Sequence, residues 1–270
     1  MVKIFLCLLF LTIEILGFSK SLFAQPVVPA VQSKQVPDEI YIDPMCQLYT
    51  LKGSMLQKFY VSGKPCCHYD SRRYGVPSLV SVDQSMKTML FFQDYQTMVI
   101  CNDVLGEIRT LFLSESSIPY VSLANWSRDQ HIWLLDPSSM RILKLNEAGQ
   151  ILFQTEPIHL MLSQKWSPTY MREWENRIFI TDPEKGILIL DLYGYPLQVI
   201  PELGVTGMDI YDKQIVYQKG DELRAYDFQI KQVKKVENIQ VGGAKRTKVC
   251  NGTVFILTEQ GVEKKTLNKQ

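Results

Sequence analysis

Histidine is scarce, with three in 270 residues, and none has another histidine two or four positions away. His68, His131 and His159 therefore offer no paired imidazoles of the kind that seize a metal from one face of an element. No HExxH, GxSxG or glycine-rich phosphate loop occurs, which removes the usual signatures of zinc peptidases, serine hydrolases and nucleotide-binding proteins. Net charge is almost absent, at 29 basic against 28 acidic side chains. No overall field would draw nucleic acid or an anionic membrane surface. Long helices are missing too, since no stretch beyond the N-terminal segment keeps a helical apolar period for more than about two turns.

What is present begins with an apolar leader. Met1-Val2-Lys3 precedes "IFLCLLFLTIEILGF", and small residues follow near Ala24. This is the pattern of a secretory signal peptide over residues 1–24, interrupted by Glu14. An uncleaved membrane anchor is the alternative. Removal of the leader takes two basic side chains and one acidic one, leaving 27 of each and no formal net charge. Export is the expectation, with no membrane insertion after cleavage. Five cysteines then remain: Cys46, Cys66, Cys67, Cys101 and Cys250. An odd number leaves at least one outside an internal disulfide. The adjacent pair in "KPCCHYD" is unusual. Cys46 and either Cys66 or Cys67 are close enough to bridge two loops of one module in an oxidising compartment. Cys101 sits in the apolar run "TMVICND" and reads as a buried thiol.

The stretch "IFITDPEKGILILDLYGYPLQVIP" reverses twice, at Asp182-Pro183 and around Gly194, and so reads as three antiparallel strands. The unit recurs. Copies start at Glu39, Thr88, His131, Arg177 and Gln214, with a partial copy from Thr253. A further strand-like segment precedes most of them, in "PSLVSVD", "PYVSLANW", "TYMREWEN", "VTGMDIYD" and "RTKVCNG". Taking Asp43, Asp94, Asp136 and Asp182 as equivalent turn positions gives spacings of 51, 42 and 46 residues. A four-stranded repeat of roughly 40–50 residues predicts a β-propeller, because one meander cannot bury both faces and radial stacking can. The expectation is an all-β, six-bladed propeller of four-stranded antiparallel blades over residues 39–270. A β-sandwich is the alternative. Residues 25–38 form a linker or the inner strand of the first blade; an outer strand on the last blade would instead close the ring.

Candidate chemistry is thin. Asp43, Asp94, Asp103, Asp136, Asp182, Asp191 and Asp227 fall in turns, where an aspartate accepts a hydrogen bond from the backbone two residues on. Most are read as turn caps and none as a catalytic acid or base. Cys66-Cys67-His68 is a poor zinc set, since adjacent cysteines seldom serve one ion well. No metal site is assigned, and no cofactor, although calcium in the central channel stays open. The run "KQVKKVE" reads as a solvated strand face. The longest connection outside the repeat, Glu156 to Trp174, offers Met161, Leu162, Trp166 and Trp174 as a candidate docking surface.

The runs "SLVSVDQSMKTMLFFQDYQTMVICNDVLGEI", "IFITDPEKGILILDLYGYPLQVIP" and "GTVFILTEQGV" resemble those of small exported six-bladed β-propeller proteins of bacteria that carry the type IX secretion system and gliding machinery. Lys87, Leu90-Phe91-Phe92 and Asp94-Tyr95 match that family's pattern, and Asn102-Asp103 does so in reversed order. The resemblance spans most of residues 38–267, and its motifs are structural, so no catalytic residue carries over. It implies a periplasmic or outer-membrane-associated location and protein partners there, with an accessory part in secretion. The leading expectation is a non-catalytic protein-binding scaffold. Its rivals are a metal-dependent hydrolase or lyase, or a glycan- or peptidoglycan-binding protein. The enzyme would need inner-strand positions such as Ser81, Asp83, Asn125, Arg172, Glu173, Asp209 and Lys248 to converge on one site.

Overall fold

A computed structural model describes residues 28–29, 35–84, 86–115, 118, 120–237 and 239–267. The proposed signal peptide lies outside them. Six four-stranded antiparallel sheets follow one another along the chain. After β1 (Val28–Pro29), the first holds β2 (Glu39–Ile42), β3 (Leu48–Lys52), β4 (Met55–Phe59) and β5 (Pro65–Asp70). The second holds β6 (Leu79–Gln84), β7 (Lys87–Phe92), β8 (Thr97–Asn102) and β9 (Glu107–Phe112). The third holds β10 (Leu123–Trp126), β11 (Ile132–Asp136), β12 (Arg141–Leu145) and β13 (Ile151–Gln154). The fourth holds β14 (Tyr170–Trp174), β15 (Arg177–Asp182), β16 (Gly186–Asp191) and β17 (Pro196–Ile200). The fifth holds β18 (Asp209–Tyr211), β19 (Gln214–Lys219), β20 (Glu222–Asp227) and β21 (Gln232–Lys235). The sixth holds β22 (Arg246–Cys250), β23 (Thr253–Thr258) and β24 (Gly261–Thr266), with β1 as its fourth strand.

Side-chain alternation explains why these sheets become blades. Successive residues of a strand face opposite sides, and here both sides are apolar. Ile178 and Ile180 pack toward the third sheet, whereas Phe179 between them packs toward the fifth. Met89 and Phe91 face the third sheet, and Leu90 and Phe92 face the first. The core is accordingly split into clusters, each lying between two consecutive sheets. Second and third strands of the second and fourth sheets are buried along nearly their whole length, as in Arg177–Asp182 and Gly186–Asp191, whereas β24 of the last sheet is mostly half-buried. Inner strands meet around the axis, and outer strands form the perimeter.

Two devices close the ring. β1 pairs antiparallel with β24, placing Val28 opposite Lys264 and Pro29 opposite Glu263. A proline is tolerated there because an outer strand leaves one row of backbone groups unpaired. Part of residues 25–38 thus supplies the outer strand of the last blade, the closing arrangement left open by the sequence. The second device is a disulfide between Cys46, just after β2, and Cys250, at the end of β22, with Cα atoms 5.6 Å apart. This corrects the expected pairing of Cys46 with Cys66 or Cys67, which are both free thiols. Ring closure brings together residues 204 apart in sequence, so proximity along the chain was the wrong guide. Cys101 is a buried free thiol, as expected.

The first repeat is also corrected. Glu39–Ile42 is an inner strand, not the equivalent of Ile132–Asp136. "PCCHYD", read as a loop, is the outer strand β5. Asp43 therefore lies one turn out of register with Asp94, Asp136 and Asp182.

Five of the seven aspartate turns behave as expected; Asp94 lies in the 3-10 turn Gln93–Tyr95, and Asn102, not Asp103, accepts from the Val104 N–H. Oδ1 of Asp43, Asp136, Asp182, Asp191 and Asp227 accepts from the backbone N–H of Met45, Ser138, Glu184, Tyr193 and Gln229. Each donor is two residues on, the Asx-turn geometry. "KQVKKVE" contributes β21, whose lysines face solvent.

Candidate functional site

The inner strands enclose a central cavity of about 470 Å3. It reaches the face formed by the inter-blade connections, where Gly204 and Ala244 line it, and by the β19–β20 turn at Gly220. Side chains from four inner strands converge in it. Arg172 on β14 donates to Asp83 on β6 at 2.8 Å and lies 3.5 Å from Asp209 on β18. Lys248 on β22 lies 3.7 Å from the same Asp209 oxygen. The other oxygen of Asp209 accepts from the Val249 backbone N–H at 2.8 Å. At the rim, Arg246 pairs with Glu39 at 2.9 Å and donates to the Thr206 hydroxyl at 3.2 Å.

Two carboxylates and two cations share the centre, so the network neutralises itself. Burial works against charge on Arg172, but Asp83, Tyr170 and Asp209 outweigh it and hold the guanidinium more firmly protonated than usual. Burial also pushes the Tyr170 phenol well above its ordinary range. Arg172 thus acts as a fixed cation and Tyr170 as a neutral hydroxyl. Neither is poised to exchange a proton near neutral pH.

A second set of contacts staples successive inner strands. Ser81 hydrogen-bonds Asn125, whose amide donates to the Met171 carbonyl at 2.7 Å. Glu173 accepts from the Ser127 hydroxyl and from the Trp133 indole N–H, each at 2.6 Å. Of the inner-strand positions singled out in the sequence, Ser81, Asp83, Asn125, Arg172, Asp209 and Lys248 line the cavity as mutual hydrogen-bond and ion-pair partners, whereas Glu173 lies outside it.

Calcium takes six to eight oxygen ligands. Here the centre holds a guanidinium and an ammonium beside its two carboxylates, a donor set that does not fit that ion. Among the described residues no cluster of three or more His, Cys, Asp or Glu could hold a metal. His68 lies on β5, His131 just before β11 and His159 in a short 3-10 turn over Ile158–Met161, none of them lining the cavity.

The loop residues do not form one surface. Met161 is 38% exposed and its neighbour Leu160 74% exposed, so the tip of the 3-10 turn is apolar and open. Leu162 is half-buried, and Trp166, only 7% exposed, packs into the core between the third and fourth blades. Trp174 stacks on Phe228 at 5.5 Å, at the far end of β14 from the loop.

A different apolar surface emerges on the perimeter. The outer strands β13 and β17 expose Ile151, Leu152, Leu197 and Val199. Between them the β16–β17 turn presents Tyr193 and Tyr195, 68% and 58% exposed. Phe153 of β13 meets the Tyr193 ring edge-on at 6.1 Å, so the exposed edges of the third and fourth blades touch there, whereas Ile151 pairs with Leu145 on the side toward the second blade. These residues escape sequence reading because an apolar outer strand carries the same period-two pattern as a buried one. Only their place at the end of each sheet order shows that nothing covers them.

Solved structures agree on the architecture. A streptogramin B lyase superposes with a TM-score of 0.58 at 10% identity, covering 85% of this chain and 78% of that one. A protein of unknown function from Bacteroides caccae gives 0.55 at 12% identity, covering 78% and 82%. PorZ, a surface component of the type IX secretion system of Porphyromonas gingivalis, gives 0.53 at 10% identity. That match covers 90% of this chain but 38% of PorZ. The fold is a six-bladed β-propeller. Identities this low establish the propeller and nothing finer. No protein-family model matches the sequence, and no curated protein does.

Proposed function

We propose that this propeller is a non-catalytic docking scaffold of the bacterial envelope, using the apolar band of its third and fourth blades to hold a protein partner. The band carries the reading. Tyr193, Tyr195, Leu197, Val199 and Leu152 are exposed to water, and exposed apolar patches mark interaction sites. Tyrosine is enriched at such sites because it buries a large area at small entropic cost. The channel adds support, since the carboxylates of Asp83, Asp209 and Glu39 are each engaged by a cation.

The Cys46–Cys250 bridge suits an oxidising compartment. Among the described residues no helix is long and apolar enough to cross a membrane. The fold shared with PorZ makes an accessory place in type IX secretion the finer form of the proposal.

Photo-crosslinking tests it. A crosslinking amino acid at Leu197 should capture a discrete partner in the native envelope, whereas the same group at Lys234 on the fifth blade should not. Tyr195→Ser in the Leu197-labelled protein should lower the yield several-fold. Equal labelling at both positions, or none at Leu197, overturns the reading.

A second reading rests on the cavity. Arg172, Lys248 and Arg246 could bind the anionic group of a small substrate, as in a lyase or a glycan-binding protein. Loss of in-cell function in a folded Arg172→Met variant, with Leu197 crosslinking intact, would favour it.

A further inference from the structure

Cys66 and Cys67 are adjacent on β5, and in a regular strand they would face opposite sides. They do not. Lys58 pairs with Cys67 and Phe59 with Pro65, leaving Cys66 without a cross-strand partner. This extra residue is a β-bulge, which breaks the alternation of side chains. The two sulfurs lie on one side, 3.0 Å apart. Both thiols are free and half-buried on an outer strand. Cys67 packs against the apolar cluster between the first and second blades. Cys66 is not part of that cluster and lies on the same half-exposed strand, near the exposed Tyr60. The same chain carries the Cys46–Cys250 disulfide, so it folds where a disulfide-forming oxidant is at hand.

We propose that Cys66 and Cys67 form a redox-active vicinal dithiol, closed to a Cys66–Cys67 disulfide by a disulfide oxidant and reopened by thiols. In the first step the Cys66 thiolate attacks one sulfur of the oxidant, forming a mixed disulfide and expelling one thiolate. Cys67 then loses its proton and attacks Cys66 Sγ, closing the ring and expelling the second thiolate. Two electrons pass to the oxidant, and the two thiol protons end on the two released thiols. Cys66 is the entry sulfur because it sits at the bulge, clear of the apolar cluster that holds Cys67. Burial first, and then the contact with Cys66, push the Cys67 thiol up to about 12, so its thiolate is scarce near neutral pH and its attack relies on the 3.0 Å approach of the two sulfurs. A ring across neighbouring residues removes almost no chain entropy, so this bond adds little stability and opens readily. The Cys46–Cys250 bridge is its structural opposite.

The test is thiol mapping of the folded full chain in oxidised glutathione. The tryptic peptide from Phe59 to Arg72 should emerge two hydrogens lighter, with neither cysteine alkylated. Cys101 should react only after unfolding. On titration with reduced glutathione, that peptide should regain both thiols before Cys46 or Cys250 becomes alkylatable. Cys66→Ser should leave Cys67 free or singly glutathionylated, with the propeller's circular dichroism unchanged. Two alkylatable thiols in full oxidant, two glutathione adducts without ring closure, or prior opening of Cys46–Cys250 would each overturn the proposal.

Discussion

Asp136 and Asp43 cap similar turns, yet their surroundings move their pKa values in opposite directions. At Asp136 burial favours the neutral acid, but hydrogen bonds from the Ser138 and Ser139 hydroxyls and backbone outweigh it and hold the pKa below the ordinary value. At Asp43 burial dominates the N–H groups of Gln47 and Met45, and the pKa rises. The signs follow by linkage. The stability Asp136 contributes is present above its unfolded pKa and is lost as pH falls through the lower folded one. The contribution of Asp43 is present below its unfolded pKa and is lost as pH rises through the higher folded one. Asp136→Ala should therefore cost about 1–2 kcal/mol at pH 7, the usual loss when buried donors are orphaned, and clearly less near pH 2. Asp43→Asn keeps an oxygen for Met45 and Gln47, and it should be neutral or stabilising at pH 7 with no gain near pH 2. Urea melts at the two pH values check both, and a pH-independent deficit for Asp136→Ala would contradict the assignment. These turns were legible in the sequence because an Asx turn is made within four residues. The Arg172–Asp209–Lys248 network was legible only as a set of polar inner-strand positions, since its pairings span three blades.

Among elements, turn backbone and blade register decide what a strand may carry. Gly186 opens β16 at φ +109°, and a Cβ there would lie 2.1 Å from the Ile200 carbonyl oxygen and 2.8 Å from the Glu202 nitrogen. Backbone cannot give way as a flexible side chain would. Gly220, in the corresponding turn of the fifth blade, has φ +56° and open space around it. Gly186→Ala should thus destabilise by roughly 3 kcal/mol or more, and Gly220→Ala by about 1 kcal/mol. Equal losses in thermal melts would show that φ alone, and not the approach of β17, makes Gly186 necessary. The strand meander itself was plain in the sequence, because alternating apolar runs and Asp-Pro or Gly turns are local signals. The first blade was misread for an equally local reason. Asp43-Pro44 after "EIYI" imitates the Asp136-Pro137 and Asp182-Pro183 turns, while "PCCHYD" has too few aliphatic residues to look like a strand.

For the whole molecule, closure of the ring is the step that sequence order cannot reveal. Each blade is covered by its neighbours, so the first and last must find each other or leave two apolar faces in water. The cluster joining Ile40, Leu48 and Phe59 to Phe255, Leu257 and Val262 supplies the apolar part of that seam. β1 adds backbone pairing at its outer edge, and Cys46–Cys250 adds a covalent tie nearer the axis. A crosslink spanning 204 residues lowers the entropy of the unfolded chain by an amount worth about 5 kcal/mol in the chain-entropy model, an upper figure for the effect. Cys46→Ser with Cys250→Ser should lower the melting temperature by on the order of 10 °C while leaving the β-rich circular dichroism spectrum unchanged at 20 °C. The contrast with the vicinal pair makes this decisive. Cys66→Ser with Cys67→Ser removes as many sulfurs but no long-range tie, so its melting temperature should stay within about 2 °C of the parent. Similar shifts in the two double variants would mean that local packing at each site, and not closure of the ring, sets the effect. A large shift confined to the Cys46 and Cys250 variant would place the opening point of the propeller at the seam between its first and last blades.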